Sequence, residues 1–133
     1  MTKMSRAESS FNYNWRYTTD QGTRQPDYCR IAVIGVGRAG NDTVTKLMNM
    51  DATSAYCIAM NTDAAHLKAS KASQKILIGE KLTKGRGVGG DPVLGRAAIE
   101  ESKKSADDLL SDIDIAFITA GLGGGTGAGA APV

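Results

Sequence analysis

The sequence has little of what several common kinds of functional site require. Its two cysteines, Cys29 and Cys57, lie at or within predicted strands, and we expect both to be buried free thiols in a reducing cytoplasm. Its single histidine, His66, lies on a short polar helix without partners for a metal or a catalytic role, so a surface position is expected. No long apolar run and no signal-peptide pattern occur, which predicts a soluble, cytoplasmic chain with no direct membrane insertion.

The sequence also lacks a concentration of positive charge. Residues 1–30 contain five basic and three acidic residues, whereas residues 31–133 contain eleven of each. The net charge of +2 therefore comes from the amino-terminal arm, and the rest of the chain is neutral. This balance argues against nucleic acid as a partner.

What the sequence does have is glycine, above all in residues 121–129, here called the third glycine loop. Six of these nine residues are glycine. They follow the apolar run Ile113–Ala120, which predicts a buried parallel strand, and they precede Pro132, expected near a first helical turn. Successive backbone N–H groups of such a loop can surround a phosphate, and Thr126 can add a hydroxyl donor. A flexible linker is the alternative, which the position between strand and helix disfavours.

Lysine is missing from this part of the chain, which decides the kind of phosphate loop. A Walker P-loop needs a lysine followed by Ser or Thr after its glycines. No lysine occurs from Ile113 to Val133. Main-chain groups and a hydroxyl would therefore have to hold the phosphate.

Strands and helices alternate along residues 28–133. The predicted strands are residues 30–35, 55–61, 75–78 and 113–120. Asp63 is predicted to cap a short helix, and Asp91 with Pro92 to open another. The residues expected to face inward from that second helix are Leu94, Ala97, Ala98, Ser102, Ala106 and Leu109. This order predicts an α/β fold: a Rossmann-like parallel sheet with helices on both faces.

Two further glycine loops leave the carboxyl ends of predicted strands. The first glycine loop is residues 35–41 and the second is residues 85–91. Ligands of parallel sheets bind at these ends, so the three loops are expected to converge on one site.

Taken alone, the first glycine loop fits a dinucleotide fingerprint, Gly35-x-Gly37-x-x-Gly40. An NAD enzyme also needs an acid about 20 residues further on. Met60 stands there instead, and Asp63 is a predicted helix cap. NAD binding therefore leaves two loops unexplained, whereas a mononucleotide would use all three.

The sequence resembles the tubulin/FtsZ GTPases, in particular archaeal-type FtsZ, from about Ile31 to Val133. Four blocks carry the resemblance: residues 35–41, residues 61–63, residues 79–91 and residues 119–133. The third glycine loop within the last block is highly specific. The arm is not covered, and the resemblance corresponds to the amino-terminal part of a GTP-binding domain that ends just after the phosphate loop.

The resemblance implies which residues contact the nucleotide, GTP or GDP. From the first loop it implicates Gly37, Arg38, Ala39, Gly40 and Asn41. From the third it implicates Gly125, Thr126 and Gly127 around the phosphates, with Gly123 and Gly124 shaping the turn. In the second loop it implies sensing of nucleotide state by Gly85, Gly87, Gly89, Gly90 and Asp91.

The resemblance also implies an activity of the family. Its members polymerise head to tail into filaments of the division ring, alongside other division-ring components. They hydrolyse GTP, usually with Mg²⁺, only when the next subunit supplies acidic residues. No catalytic or metal-binding residue is therefore assigned within these 133 residues, and whether this chain is itself an enzyme stays open.

The sequence departs from the family at the site. Arg38 stands where a glycine is usual, Ala128 where Thr or Ser is usual, and Asp42 where asparagine is usual. Arg38 would clash if its position needed a positive φ, or it would add a cation beside the phosphates. A loss of normal turnover is compatible with these changes.

Two other functions stay open at this stage. One is the NAD-binding domain already described. The other is a non-catalytic interaction module, in which the sheet edge and a mobile arm, residues 1–27, bind a filament subunit. The arm carries aromatic residues at alternate positions of residues 11–17, as a strand that pairs with an edge would.

Two charged segments are predicted to be solvated surface only. Asp112 and Asp114 are expected to form a solubilising turn. The charged pairs at residues 100–101 and 103–104 are expected to lie on the outer face of one helix.

Overall fold

The computed structural model describes residues 29–51 and 54–133, so the predicted arm, residues 1–27, lies outside the described residues. Four strands of the described part form one sheet in the order β3-β2-β1-β4, and every neighbouring pair is parallel. The strands are β1 (Ile31–Val36), β2 (Tyr56–Asn61), β3 (Gln74–Leu77) and β4 (Ile115–Ala120). The predicted strands are confirmed, with ends shifted by one or two residues.

Helices connect these strands. They are α1 (Gly37–Met50), α2 (Ala64–Ala69), α3 (Glu80–Thr83), α4 (Pro92–Glu101), α5 (Lys103–Leu110) and α6 (Gly125–Ala130). The Asp63 carboxylate accepts from the His66 N–H at the start of α2, and Asp91 caps α4, as predicted. None of these helices is long and apolar enough to span a bilayer.

The sheet is covered on both faces, which confirms the predicted fold class. Alternate residues of β1 and β2 join α4, α5 and α6 in one buried apolar cluster that includes Ile34, Ile58 and Ala98. The opposite face contacts α1, where Val44 is fully buried. Since strand side chains alternate between faces, each strand contributes to both layers.

The helix expected after Asp91 is divided in two. Ser102 separates α4 from α5, and its hydroxyl accepts a hydrogen bond from the Gly79 N–H at 2.9 Å. A serine that bonds elsewhere with its side chain is a poor helix interior residue. The buried positions also include Gly95 and Ile99, which the predicted inward face omitted.

β4 is an edge strand, so the burial that its apolar pattern predicts is not observed, whereas the exposed sheet edge considered for the interaction module is. Phe117 is 59% exposed and Ile118 is 56% exposed. Within the described residues β4 pairs only with β1, so one of its sides has no neighbouring strand. Its apolar sequence is therefore typical of a central strand, although its position is peripheral.

Several charged residues have structural partners that the sequence did not reveal. Arg30 contacts Asp114 at 3.2 Å and Asp112 at 3.5 Å, which ties the start of β1 to the start of β4. The hydrogen bond with Asp114 is the main cause that raises the pKa of Arg30. The Glu101 carboxylate accepts from two N–H groups of α3, those of Lys81 and Leu82. These acids are therefore more than a solvated surface.

The two cysteines differ in environment. Cys57 is buried in β2, and burial raises the pKa of its thiol. Cys29 is exposed at the start of the described chain, which corrects the expectation that both thiols are buried.

Candidate functional site

The three glycine loops meet at the carboxyl ends of the strands, as predicted. An ideal Cβ on Gly37 in the first loop would lie 3.0 Å from the Gly127 nitrogen in the third loop. A Cβ on Gly125 would lie 2.5 Å from the Asp91 nitrogen at the end of the second loop. The third loop is therefore in contact with both others.

The first loop turns directly from β1 into α1. Gly37 has φ 74°, a conformation that side chains rarely adopt, and it is the one residue of this turn with positive φ. Arg38 does not adopt such a conformation, so the condition for a clash is not met, and its side chain is exposed. Ala39 is also exposed, whereas Gly40 is buried against the Thr119 carbonyl of β4. The loop thus presents Arg38 and Ala39 outward.

Asn41 lies beneath the first loop and is only 1% exposed. Its amide satisfies its neighbours when the nitrogen faces the carbonyls of Gly35, Gly37 and Met60 and the oxygen accepts from the Asn61 amide at 3.0 Å. The asparagine pair therefore joins the first loop to the end of β2. Nucleotide contact by Asn41 stays a prediction, because its amide is already bonded to protein groups.

The glycines of the third loop serve two different purposes. None of them has a positive φ. Gly125, Gly127 and Gly129 are buried, and backbone atoms come within 3.0 Å of an ideal Cβ on each of them. These atoms belong to the second loop at Gly125, to α4 at Gly129 and to Gly121 of the same loop at Gly127. Gly123 and Gly124, by contrast, have nothing within 4 Å of an ideal Cβ, so they border open space. This open space lies where a phosphate was predicted.

The helix after the phosphate loop starts earlier than expected. α6 begins at Gly125 and ends at Ala130, so Pro132 follows the helix instead of opening it. The reason is the packing of α6 against α4, since this contact holds glycine residues in helical conformation despite their low helix propensity.

The Thr126 hydroxyl contacts the hydroxyl of Thr62, a residue that was not predicted to belong to the site. Its Oγ1 lies 2.7 Å from Oγ1 of Thr62, and both residues are buried. Thr62 follows β2 immediately, at the same end of the sheet as the glycine loops. The sequence feature that could have indicated Thr62 as a site residue was its position between Asn61 and Asp63.

Backbone hydrogen bonds to the chain after β2 hold the second loop in place. Gly85, Gly87, Gly89 and Gly90 all have positive φ. The Gly87 N–H donates to the Thr62 carbonyl at 3.1 Å, and the Gly85 carbonyl accepts from the Ala64 N–H at 2.9 Å. The second loop is therefore attached to the chain that follows β2.

His66 is not a free surface residue, which corrects the prediction. Its Nε2 lies 3.2 Å from Asp42 Oδ1 and 3.3 Å from the Arg38 carbonyl oxygen. Its side chain is 18% exposed. It therefore bridges α2 to the first loop, and Asp42 is its partner on α1.

The acids near the loops are used as helix caps. Asp91 Oδ1 accepts from the Val93 N–H at 2.9 Å, and Asp63 Oδ1 accepts from the His66 N–H at 3.0 Å. Within residues 29–51 and 54–133, no group of three or more His, Cys, Asp or Glu side chains could hold a metal ion.

Gly95 is a second residue that the sequence reasoning missed. It lies in α4, and an added Cβ would overlap the Gly125 carbonyl oxygen, with the Gly125 carbonyl carbon 2.9 Å away. An isolated glycine inside a helical pattern is the signal that indicates such a contact. It lets α4 support the third loop directly.

A parallel α/β sheet with three glycine loops at the carboxyl ends of its strands defines a Rossmann-like class of protein. Within that class, the chain matches the model of the Tubulin/FtsZ family, GTPase domain, over residues 30–133. The chain belongs to this family.

Individual relatives agree with this assignment. Over 104 residues the chain is 50% identical to cell division protein FtsZ 2 of Haloferax volcanii, covering 78% of this chain and 26% of the relative. It is similar to the empty FtsZ dimer structure of M. jannaschii, with a TM-score of 0.76 and 44% identity, covering 92% of this chain and 34% of the other. It is also similar to the GTPγS-bound CetZ2 protofilament of Haloferax volcanii, with a TM-score of 0.69 and 34% identity, covering 77% of this chain and 34% of the other. The chain thus spans about a quarter of the length of the curated relatives it matches.

Proposed function

We propose that the described residues form the phosphate-binding part of a guanine-nucleotide site. The observation that carries the proposal is the contact of all three glycine loops at one end of the sheet, with open space at Gly123 and Gly124. The family assignment supports it, as does the GTPγS-bound state of the CetZ2 relative. GTP or GDP is the expected ligand.

In this proposal, the third loop binds the phosphates through backbone N–H groups and the Thr126 hydroxyl. The lack of side chains at Gly123 and Gly124 lets the anion approach the main chain closely. The exposed Arg38 side chain adds positive charge from the first loop, whose outward residues face the remainder of the nucleotide. The second loop, attached to the same end of β2, responds to the state of the phosphates.

Mg²⁺ does not have a site of its own among the described side chains. Asp63 and Asp91 already cap helices, and no cluster of metal-ligating side chains is present in this part of the chain. Magnesium usually binds through substrate phosphates, waters and one or two carboxylates. We therefore expect any Mg²⁺ to bind chiefly through the nucleotide.

The whole protein's activity is proposed from its relatives. One relative is a cell division protein, one structure is an FtsZ dimer, and one is a protofilament. We infer self-association into filaments at the division site, with GTP hydrolysis that depends on acidic residues of the next subunit. The cytoplasm is the corresponding location.

The test is nucleotide binding by the chain and by Thr126→Ala. GDP should bind and should be preferred to ADP and to NADH in competition, measured by calorimetric titration. Thr126→Ala should weaken GDP binding by about tenfold, because a hydrogen bond to a charged group contributes roughly 1.5 kcal/mol or more. Thr45→Ala is the matched control, since the Thr45 hydroxyl bonds with Ser70 and Lys71 outside the glycine loops.

Two results would contradict the proposal. A preference for NADH over GDP would support the dinucleotide alternative. Unchanged GDP affinity in Thr126→Ala would show that the assignment of the phosphate loop is wrong.

The exposed edge of β4 favours one alternative function, an interaction module that binds filament subunits. Phe117 and Ile118 leave apolar surface open beside an unpaired strand side. In that case the chain should co-sediment with filaments of a related protein even when Thr126→Ala weakens nucleotide binding. Loss of co-sedimentation in that variant would argue against the alternative.

A further inference from the structure

Thr62 is a fully buried residue that lies outside the three glycine loops yet is bonded to two of them. Its hydroxyl is 2.7 Å from the Thr126 hydroxyl of the third loop. Its carbonyl accepts from the Gly87 N–H of the second loop at 3.1 Å. Thr62 therefore joins the third loop through its side chain and the second loop through its backbone.

The direction of the bond between the two hydroxyls follows from burial. A hydroxyl carries one hydrogen and two lone pairs. Thr62 is 0% exposed, and among the described residues Thr126 is the one partner within reach of its hydroxyl. A buried donor without an acceptor costs about 1–3 kcal/mol. Because Thr62 is fully buried and Thr126 is the more exposed of the two, donation from the Thr62 hydroxyl to Thr126 is the favoured direction.

The Thr126 hydrogen is then free to point elsewhere. Thr126 is 8% exposed and lies beside Gly125 and Gly127 in the loop that borders the open space. Its oxygen is occupied as an acceptor, so its hydrogen is available for an acceptor outside the protein. A phosphate oxygen is such an acceptor.

We propose that Thr62 is a positioning residue for the nucleotide: by donating to Thr126, it directs the Thr126 hydroxyl hydrogen toward a phosphate. This inference rests on the proposed nucleotide site. It also assigns a route from that phosphate to the second loop, since the Thr62 carbonyl anchors Gly87. Nucleotide binding should therefore slow hydrogen exchange at the Gly87 amide.

A double-mutant cycle with GDP as the probe tests the proposal. Thr62→Val keeps the shape of the side chain and removes its donor, and it should weaken GDP binding by about five- to tenfold. Thr62→Ser keeps the donor and should restore most of that loss. In a Thr126→Val background, Thr62→Val should have no further effect, because the hydroxyl that it positions is gone.

Stability and exchange measurements separate positioning from a merely structural role. Thermal unfolding should show that each variant is folded. If Thr62→Val does not fold, Thr62→Ala takes its place in the cycle. GDP should slow exchange at Gly87 in the wild-type chain but not in Thr62→Val. Thr45→Val, which removes a hydroxyl outside the loops, should match the wild type in both GDP affinity and Gly87 exchange.

The outcomes distinguish this inference from the proposed function. Wild-type chain that fails to bind GDP would overturn the nucleotide site and, with it, the role of Thr62. If the wild type binds GDP but Thr62→Val binds it equally well, only the positioning role is overturned. If Thr62→Val weakens GDP binding equally in the wild type and in the Thr126→Val background, the positioning role is also refuted.

Discussion

The contact between α4 and α6 depends on glycines whose replacement by alanine should destabilise the protein. An added Cβ on Gly129 would overlap the Pro92 carbonyl oxygen and would lie 2.6 Å from the Arg96 nitrogen. Real Cβ atoms essentially never come within 3.0 Å of such neighbours. Both neighbours are backbone atoms, which cannot rotate away, so Gly129→Ala must push the two helices apart.

Two opposing effects set the magnitude. Alanine in a helix interior is favoured over glycine by about 1 kcal/mol, whereas overpacking a tight contact costs about 1–3 kcal/mol and occasionally more. Because the clash is with backbone on both sides, we expect the upper part of that range, a net loss of roughly 1–2 kcal/mol. For a domain of about 100 residues this lowers the melting temperature by roughly 5–15 °C.

Gly123→Ala is the matched control. Nothing lies within 4 Å of its ideal Cβ, and its φ is not positive, so the melting temperature should change little. The added methyl group should nevertheless weaken GDP binding, because it enters the space proposed for the phosphate. Calorimetric unfolding and GDP titration of both variants check these expectations. Gly129→Ala as stable as the wild type, or Gly123→Ala equally destabilised, would refute the reasoning.

Two further predictions concern groups away from the site. Burial raises the pKa of the Cys57 thiol in the folded chain. The protonated thiol therefore contributes its full stability below the ordinary thiol pKa of about 8.5. This contribution is lost as the pH rises through the raised pKa of the folded chain. The melting temperature should therefore fall more steeply above pH ~8.5 in the wild type than in Cys57→Ala, with Cys29→Ala as control, and parallel curves would contradict this. Glu101→Ala removes the acceptor for the Lys81 and Leu82 N–H groups, so exchange at these amides should accelerate, with a stability loss of about 1 kcal/mol. Unchanged exchange in that variant would show that water replaces the carboxylate without cost.

Much of the fold could be predicted from local patterns. The four strands, the Asp63 cap and the Asp91–Pro92 helix start depend on residues close together in sequence, and all are present. Glycine after each of three strands was enough to predict loops at one end of a parallel sheet, because parallel strands place their carboxyl ends together. These predictions needed no knowledge of which segments touch.

The errors involve partners that are distant in sequence. The apolar pattern of β4 indicated burial, but whether a strand is central depends on its neighbours, and β4 has only β1 within the described residues. Asp114 is charged and follows a helix, so surface was the simplest interpretation, yet it pairs with Arg30, 84 residues away. His66 similarly bonds to the Arg38 carbonyl, 28 residues away.

The sequence by itself determined the class of fold, the family and the three glycine loops, because periodicity and glycine spacing are local properties of the chain. Only the tertiary structure decided what each glycine does. Gly37 provides a turn with positive φ, Gly129 admits the backbone of α4, and Gly123 borders open space. It also decided that Thr62 faces Thr126 across 64 residues. These roles depend on which atoms the folded chain brings within a few ångströms, and a linear pattern does not contain that information.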